Sequence, residues 1–374
     1  MALLDHQVYS KGMRSRQNGA APAGLKRCGY TRKPHKQSNK EVPVIPISIL
    51  DLVRIREGSD ARVALDHARD LALHAEGWNY RRFWMAEHHN MRGIASAATA
   101  VAICHVAAGT SSIRVGAGGV MLPNHSPLVI AEQFGTLASL FPGRIDLGLG
   151  RAPGTDQVTT RALRRDPASA ESFPQDVLEL QAFLAPAETG QRIVAVPGHG
   201  TNVPLWILGS STFGAQLAAE LGLPYAFASH FAPDSLEMAL QMYRARFKPS
   251  RQESKPHAMV GVNIIAADTD AEARRLATTQ QMSFTDMHRG VRGLSKPPID
   301  DIETYWTPLE KAQASHMLAH SIIGSPETVR EGIERFLLLT GADELMIVSD
   351  VFEHKARLHS YEIIADVARS VERI

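Results

Sequence analysis

The sequence predicts one large α/β domain, and an eightfold β/α (TIM) barrel with an insertion before the last strand fits it best. Two observations support this fold. About eight β-like runs alternate with helical patterns along roughly 330 residues. The composition, with 44% hydrophobic and 21% charged residues, is ordinary for a globular enzyme. A doubly wound parallel sheet remains the structural alternative.

The strand and helix signals follow one another in order from Val42. Ile45, Ile47 and Ile49 alternate with other residues and predict a first strand that ends near Asp51. Ser59-Asp60 then starts a helix that Gly77 ends. Later strands are predicted at 83–86, 114–122, 145–150, 205–209, 225–229, 260–267 and 344–349, and later helices at 97–108, 127–141, 176–184, 212–221, 234–247 and 358–371.

Residues 280–320 have no clean strand pattern. Methionine and aromatic residues stand there among polar ones, and we interpret the segment as an inserted, partly helical piece before the last strand. Its apolar side chains could cover a substrate pocket or form the core of the insertion; they are Met282, Phe284, Met287 and Trp306.

Residues 1–41 differ from the body at 42–374. They hold nine basic and two acidic side chains, which leaves the body at −6 within a total of +1. Few large apolar residues are available to bury, so we expect this basic extension to be disordered. A dispensable arm, a transit peptide and a polyanion-binding arm remain open. The acidic body argues against nucleic-acid binding.

The two cysteines carry no clear function. Cys28 lies in the basic extension and Cys104 on a predicted helix, and two cysteines cannot form a disulfide framework. A reducing compartment follows as the simpler expectation, and we expect a cytoplasmic enzyme.

Glu87-His88-His89 is the sharpest chemical feature, at the end of the second strand. Polar groups at strand ends of a barrel face its active site, so these residues are catalytic candidates. Structural histidines are the alternative. Consecutive strand residues point to opposite sides and no third ligand stands at a familiar spacing, so we predict no metal site.

Three glycine-rich segments indicate where a flat or phosphorylated ligand would bind. Gly148 to Gly154 does not match a dinucleotide fingerprint, but Arg151 could clamp a phosphate there. Gly209, Ser210 and Ser211 stand before a helix, where free N–H groups and hydroxyls bind anions or simply cap the helix. Glycines within the third strand suggest a bulge, a bound ligand or tight packing; they are Gly116, Gly118 and Gly119.

These segments occur together in an order that resembles the bacterial-luciferase-like flavin monooxygenase family. The similarity is strongest to its single-gene members grouped with antibiotic-biosynthesis monooxygenases and spans about residues 43–367. The segments that carry it are Ser48–Asp51, Trp84–His89, Val115–Pro123, Asn124–Pro127, Ala131–Phe134, Pro142–Gly154, Trp206–Ser211, Leu221–Pro224 and Gly341–Met346.

The resemblance implies site residues at the barrel mouth. His88, next to Glu87, would be the catalytic acid/base, and Gly118-Gly119 would lie against the flavin, often through a non-proline cis peptide. Arg151 would hold the FMN phosphate with the serine-rich turn, here Gly209, Ser210 and Ser211. Gly150 stands where luciferase has a reactive cysteine beside the flavin, so light emission is not expected.

The resemblance also implies the reaction. Reduced FMN, delivered by a separate NAD(P)H:flavin reductase, would react with O2 to give a flavin hydroperoxide that oxygenates a small substrate such as an aldehyde. A homodimer is expected, and neither nucleic acid nor membrane. Two alternatives stay open: hydride transfer with a deazaflavin, and flavin binding without catalysis.

Overall fold

The computed structural model describes residues 44–152 and 156–373. The predictions on residues 1–41, and on Pro153 and Gly154, lie outside the described residues. Nine parallel strands form one sheet. They are β1 (Ile47–Asp51), β2 (Arg82–Met85), β3 (Arg114–Met121), β4 (Ile145–Gly150), β5 (Leu205–Gly209), β6 (Tyr225–Phe227), β7 (Ala258–Ala266), β8 (Ile322–Gly324) and β9 (Glu344–Val348).

Helices alternate with these strands along the chain. They are α1 (Ala61–Gly77), α2 (Thr99–Ala107), α3 (Pro127–Leu140), α4 (Gln157–Ala162), α5 (Phe173–Leu184), α6 (Thr212–Leu221), α7 (Leu236–Arg246), α8 (Asp270–His288), α9 (Pro308–Met317), α10 (Pro326–Thr340) and α11 (His354–Ala368). Within the described residues, no helix is both long and apolar enough to span a membrane.

Eight of the strands close into a barrel, as the sequence predicts. The order runs from β1 to β7, and β9 then pairs with both β7 and β1. Ser48 lies opposite Met346 where the barrel closes. A doubly wound sheet would leave open edges, so that alternative is wrong. β8 pairs only with β7, outside the ring.

Alternation along the strands separates two layers of the core. In β2, Phe83 and Met85 belong to the large cluster between the sheet and the helices. Trp84 and Ala86 face the other way and join a small cluster with Trp206 and Met259 inside the barrel. Side chains therefore fill the barrel interior, and the ligand site must lie at one of its ends.

A charged network closes the end of the barrel at which the strands begin. The Arg82 guanidinium donates to Glu344 Oε1 at 2.9 Å and to Asp146 Oδ2 at 2.7 Å, and lies 4.7 Å from the ring centre of Trp206. Both carboxylates are fully buried. The functional site is therefore expected at the opposite end, where the strands finish.

The segment between β7 and β9 differs in detail from the predicted insertion at 280–320. α8 runs through residue 288 without a break, because Thr269 caps it by accepting from the Glu272 amide and its apolar face is buried. α9 and β8 follow before the last strand. Met282 is buried and Met287 is exposed, so these two methionines do not share one surface.

Candidate functional site

The predicted site residues lie at the same end of the barrel, where the strands finish. Glu87 and His88 follow β2, Arg151 follows β4, and Ser210 and Ser211 follow β5. Parallel strands direct their carboxyl ends to the same rim, which explains how residues far apart in sequence come together.

Glu87 is a buried hydrogen-bonding centre. Its carboxylate accepts from His89 Nε2 at 2.8 Å, from His125 Nε2 at 2.9 Å and from the Met121 amide at 3.0 Å. Burial alone would raise the pKa of Glu87, but the hydrogen bonds from His125 and His89 outweigh it and lower that pKa to about 2. An ionised carboxylate therefore joins the end of β2 to the turn after β3.

His125 is the partner that sequence reasoning missed, because 38 positions separate it from Glu87. One ligand atom each from Glu87, His89 and His125 lie within 4.8 Å of one another. A metal ion could draw on such a set, yet both imidazoles already bond the carboxylate directly, which raises the pKa of His89. We interpret the three residues as a hydrogen-bonded cluster that fixes the position of residue 88.

His88 has a different environment from its neighbours. Its Nδ1 atom is buried and has no hydrogen-bond partner in the described chain. Burial lowers the pKa of His88 to about 4, and the charge of Arg54 contributes to the shift. Arg54 is held beside it by Ser283 at 2.5 Å and Asp350 at 3.2 Å. At neutral pH His88 is an uncharged imidazole, and one of its ring nitrogens has no hydrogen-bond partner in the described residues.

Gly118 and Gly119 are joined by a cis peptide bond, in the form that the family resemblance implies. A Cβ added to Gly118 would lie 2.7 Å from Leu50 Cδ1, and one added to Gly119 would lie 2.7 Å from the Gly148 carbonyl. The Gly119 carbonyl accepts from the Glu87 amide at 3.2 Å. The barrel backbone therefore leaves no room for a side chain at Gly119, whereas a side chain at Gly118 would require Leu50 to move.

Gly150 is also constrained by its neighbours. A Cβ there would lie 2.8 Å from Met121 Sδ, so a side chain at 150 would require Met121 to move. The next residue, Arg151, is exposed and emerges from the rim.

Arg151 lies against the start of α6. Its guanidinium carbon is 4.1 Å from the centre of the Phe213 ring, in the first turn of that helix. Ser211 is the N-cap residue, but its side chain makes no capping hydrogen bond. Gly209 and Gly214 approach closely there, since an added Cβ on either would lie 3.4 Å from the other's Cα. An arginine, a hydroxyl and the free N–H groups of a helix start are the groups that bind anions in proteins, so this turn is a candidate anion site.

His230 is a second histidine of the mouth that the sequence did not single out; it is half-buried, and its Nδ1 atom is buried without a partner in the described residues. Burial lowers its pKa to about 4, and the charge of His88 contributes. The only sequence signal was its place directly after the sixth predicted strand.

Comparison with known proteins gives one consistent result. The family model described as luciferase-like monooxygenase matches residues 45–344. A luciferase-like monooxygenase of Escherichia coli strain K12 is 53% identical over 324 residues, which cover 86% of this chain and 97% of the relative. An N-acetyl-S-alkylcysteine monooxygenase of Bacillus subtilis strain 168 is 32% identical over 338 residues, covering 88% of this chain and all of the relative.

Solved structures agree with the fold. Apo-MsnO8 is 34% identical, with a TM-score of 0.77 over 88% of this chain and all of its own. The oxygenating constituent of 3,6-diketocamphane monooxygenase from Pseudomonas putida, solved with FMN, is 17% identical with a TM-score of 0.65, covering 88% of this chain and 99% of its own. An F420-dependent secondary alcohol dehydrogenase, 14% identical, reaches the same TM-score over 88% of this chain.

Proposed function

Because this chain belongs to the luciferase-like monooxygenase family, we propose that it is an FMN-dependent monooxygenase. It would use reduced FMN and O2 to oxygenate a small organic substrate. The observation that carries this proposal is the position of Arg151 over the first turn of α6, where the Ser211 side chain makes no capping hydrogen bond. That site suits the terminal phosphate of FMN, and His88 with its free ring nitrogen stands on the same rim.

The phosphate would be bound by Arg151, Ser210 and Ser211. The Arg151 side chain already lies over the first turn of α6, so little side-chain entropy is lost when a dianion binds there. The amide groups of that turn are donors without partners in the helix. Bound reduced flavin would supply the electrons that activate O2, a reaction that amino-acid side chains cannot perform.

His88 would transfer the proton, and Glu87 would position it. A neutral imidazole can accept a proton at its free nitrogen and return it later in the cycle. Glu87 is ionised and occupied by His89 and His125, so its carboxylate has no proton to give. We therefore propose that Glu87 is a positioning residue and that His88 is the catalytic acid/base.

We propose that the substrate is a small molecule with an apolar part that can be oxidised. The Bacillus subtilis relative is named for N-acetyl-S-alkylcysteine, a small molecule that carries an alkyl group on sulfur. We propose to test decanal and N-acetyl-S-methylcysteine with FMN, NADH and an added flavin reductase under ¹⁸O2. Incorporation of ¹⁸O into the product of either probe supports oxygenation. If both probes give hydrogen peroxide as the only product of O2, aldehydes and S-alkylcysteines are not substrates.

The partners follow from this chemistry. A separate NAD(P)H:flavin reductase would supply reduced FMN, by diffusion or in a transient complex, and we propose a homodimer as the working assembly. Sedimentation of the purified protein measures the assembly directly, and a monomer at micromolar concentration contradicts it.

The cofactor is tested by titration of the protein with FMN, riboflavin and the deazaflavin F420, followed by fluorescence. We expect FMN to bind at least ~10-fold more tightly than riboflavin, because only FMN carries the phosphate. Tighter binding of F420 than of FMN would instead favour the hydride-transfer alternative. Equal affinity for FMN and riboflavin would contradict the phosphate site.

A further inference from the structure

A small cavity lies beside the barrel, where α1 and α11 meet the loops that follow β1 and β9. α1 contributes His67 to its wall, and α11 contributes His354. Arg56 of the first loop and Phe352 of the second line it as well. Its volume of about 20 Å³ is enough for one water molecule or one ion of similar size. None of these four residues belongs to the predicted flavin site, so the cavity is a separate feature of the fold.

Ser295 lines the cavity from a third direction. It lies in the segment after α8, where its amide donates to the Ile55 carbonyl at 2.9 Å and its carbonyl accepts from the Glu57 amide at 2.8 Å. The residue is 1% exposed, and its hydroxyl has no hydrogen-bond partner within the described residues. Because buried hydroxyls are nearly always satisfied, an unpartnered one on the wall of a cavity indicates a ligand there.

Two further atoms of the cavity-lining side chains share this property. Arg54 Nε and His354 Nδ1 are buried and have no partner in the described part of the chain. Both side chains are held by their other nitrogens, since Arg54 pairs with Asp350 at 3.2 Å and His354 Nε2 bonds Asp70 Oδ2 at 2.7 Å. The His354 ring also stacks on His67, with the ring centres 3.9 Å apart. The unpartnered atoms therefore have fixed positions.

Positive groups outnumber negative ones on the cavity wall. Among the described residues that line it are three guanidinium groups and one carboxylate, from Arg54, Arg56, Arg357 and Asp350. Arg357 is paired with the buried Asp51 at 2.8 Å. The partner of Arg56 is Glu353 at 3.7 Å, whose side chain is 69% exposed, so solvent weakens that pair. The remaining excess of positive charge favours an anion in the cavity.

We propose that the cavity binds one small anion of the halide class, together with a proton on His354. The anion would accept from Ser295 Oγ, Arg54 Nε and the protonated Nδ1 of His354, which completes all three unpartnered atoms. The proton is required because His354 Nε2 donates to the Asp70 carboxylate, so that Nδ1 of the neutral ring carries a lone pair. One negative and one positive charge enter together, and the net charge of the cavity is unchanged.

The groups around His354 decide how readily it takes up this proton. They are Asp70 and His67 on α1, Arg54 and Arg56 after β1, Asp350 and Glu353 after β9, and Arg357 on α11. Burial lowers the pKa of His354, and the charges of Arg357 and Arg56 add to the shift, whereas Asp70 opposes it. An anion in the cavity would offset the two arginines and raise that pKa, so anion affinity should rise as the pH falls.

Thermal unfolding of the apoprotein tests the site in solution. Sodium chloride replaces sodium gluconate at constant ionic strength, because gluconate is too large for the cavity, and Tm is followed at pH 6 and pH 8. We expect a saturable rise in Tm of about 1–3 °C at pH 6. Half of the rise should need at least ~10-fold less chloride at pH 6 than at pH 8, since each anion takes up a proton.

Two variants separate the cavity from general salt effects. Ser295→Ala removes one donor to the anion, and half of the Tm rise should then need at least ~10-fold more chloride. Ala64→Val fills the cavity from α1 and should abolish the rise. Ser139→Ala is the control, because its hydroxyl bonds the Gly135 carbonyl on α3, and it should respond like the wild type. Either cavity variant decides the question if the other does not fold.

Bromide in place of chloride locates the anion by anomalous scattering from crystals of the apoprotein. We expect one peak within hydrogen-bond distance of Ser295 Oγ. A water molecule in the cavity without an anomalous peak would overturn the anion site. So would a wild-type chloride response equal to that of the two cavity variants, even if a peak appeared at the bromide concentration of the crystal. None of these measurements needs flavin, so their outcome is independent of the proposed monooxygenase activity.

Discussion

His88 stands beside two charged groups of opposite sign and remains neutral. Glu87 favours a proton on His88, whereas burial and the Arg54 charge disfavour it and dominate. At neutral pH a residue held in this state is deprotonated and can accept a proton that the reaction releases. The neighbouring His89 has the reverse balance, since its bond to Glu87 raises its pKa. Two adjacent histidines thus differ in chemistry because only one contacts the carboxylate.

Replacement of His88 by alanine should separate catalysis from binding. We expect turnover to fall by about 10²- to 10⁴-fold, the range typical of a lost general acid/base, while FMN affinity changes less than about twofold. Steady-state kinetics and FMN titration measure the two effects. His320→Ala is the matched control and should change neither. If His88→Ala kept full turnover, another residue would have to transfer the proton. If FMN affinity fell as much as turnover, His88 would have a structural role instead.

Replacement of Arg151 by alanine should weaken FMN binding. Loss of a charge-assisted contact to phosphate costs about 1.5–3 kcal/mol, so we expect Kd to rise ~10- to 100-fold. Riboflavin affinity should change less than about twofold, because riboflavin has no phosphate to lose. Arg161→Ala, an exposed arginine on α4, serves as the control. An equal effect on both flavins would contradict the phosphate role.

At the scale of elements, the sequence predicted most strands and helices well. The limits of β4, β5 and α6 agree with the predictions to the residue; glycine ends both strands, and Ser211 and Gly222 flank the helix. The sequence did not predict β8, because a strand of three residues is too short to show an alternating apolar pattern. α11 begins four residues earlier than predicted, at His354, since its polar first turn carries no apolar pattern.

The candidate site was predictable only where a local motif marked it. His88, Arg151 and Ser211 each follow a recognisable strand end. His125 and His230 give no such local signal, because their surroundings depend on contacts with Glu87 and Gly261 that only the closed barrel creates. The same holds for Glu344, which meets Arg82 only where the last strand returns to the first.

The Arg82 network should be a principal source of stability in the strands. Removing the guanidinium by Arg82→Met would leave the buried Glu344 carboxylate without its closest cation, although Arg114 still reaches Asp146. We expect the free energy of unfolding to fall by about 3–5 kcal/mol. Urea denaturation measures it.

An exposed ion pair provides the control for that substitution. Arg335 lies 3.5 Å from Glu331 on the surface of α10, and Arg335→Met should cost less than about 1 kcal/mol. Equal losses in the two variants would show that the Arg82 network contributes no more than a surface pair.

At the scale of the whole molecule, the buried ionisable groups predict sensitivity to acid. His67, His88 and His230 have pKa values lowered to about 4, so the unfolded chain binds protons more readily and stability falls from about pH 6.5 towards 4. The pKa values of Glu87 and Glu344 are lowered to about 2, so the unfolded chain also binds protons more readily at these carboxylates. Stability therefore falls further below about pH 4.5.

Calorimetry at constant ionic strength checks this pH dependence. We expect Tm to fall by about 5–10 °C between pH 7 and pH 4. His67→Asn should make the slope between pH 6.5 and 4 shallower, because one of the three contributing groups is removed. A Tm that stays constant over this range would contradict the lowered pKa values of these histidines.

The most direct test of the account is the reaction of the reduced FMN–protein complex with oxygen in a rapid-mixing experiment. If the barrel mouth binds FMN through Arg151 and shields its reactive ring from water, the protein should change the rate at which the reduced flavin is reoxidised. Flavin absorbance is followed for the complex and for free reduced FMN. We expect reoxidation of the bound flavin to be completed at least ~10-fold more slowly than that of free flavin. Reoxidation at the rate of free FMN would contradict the proposed monooxygenase.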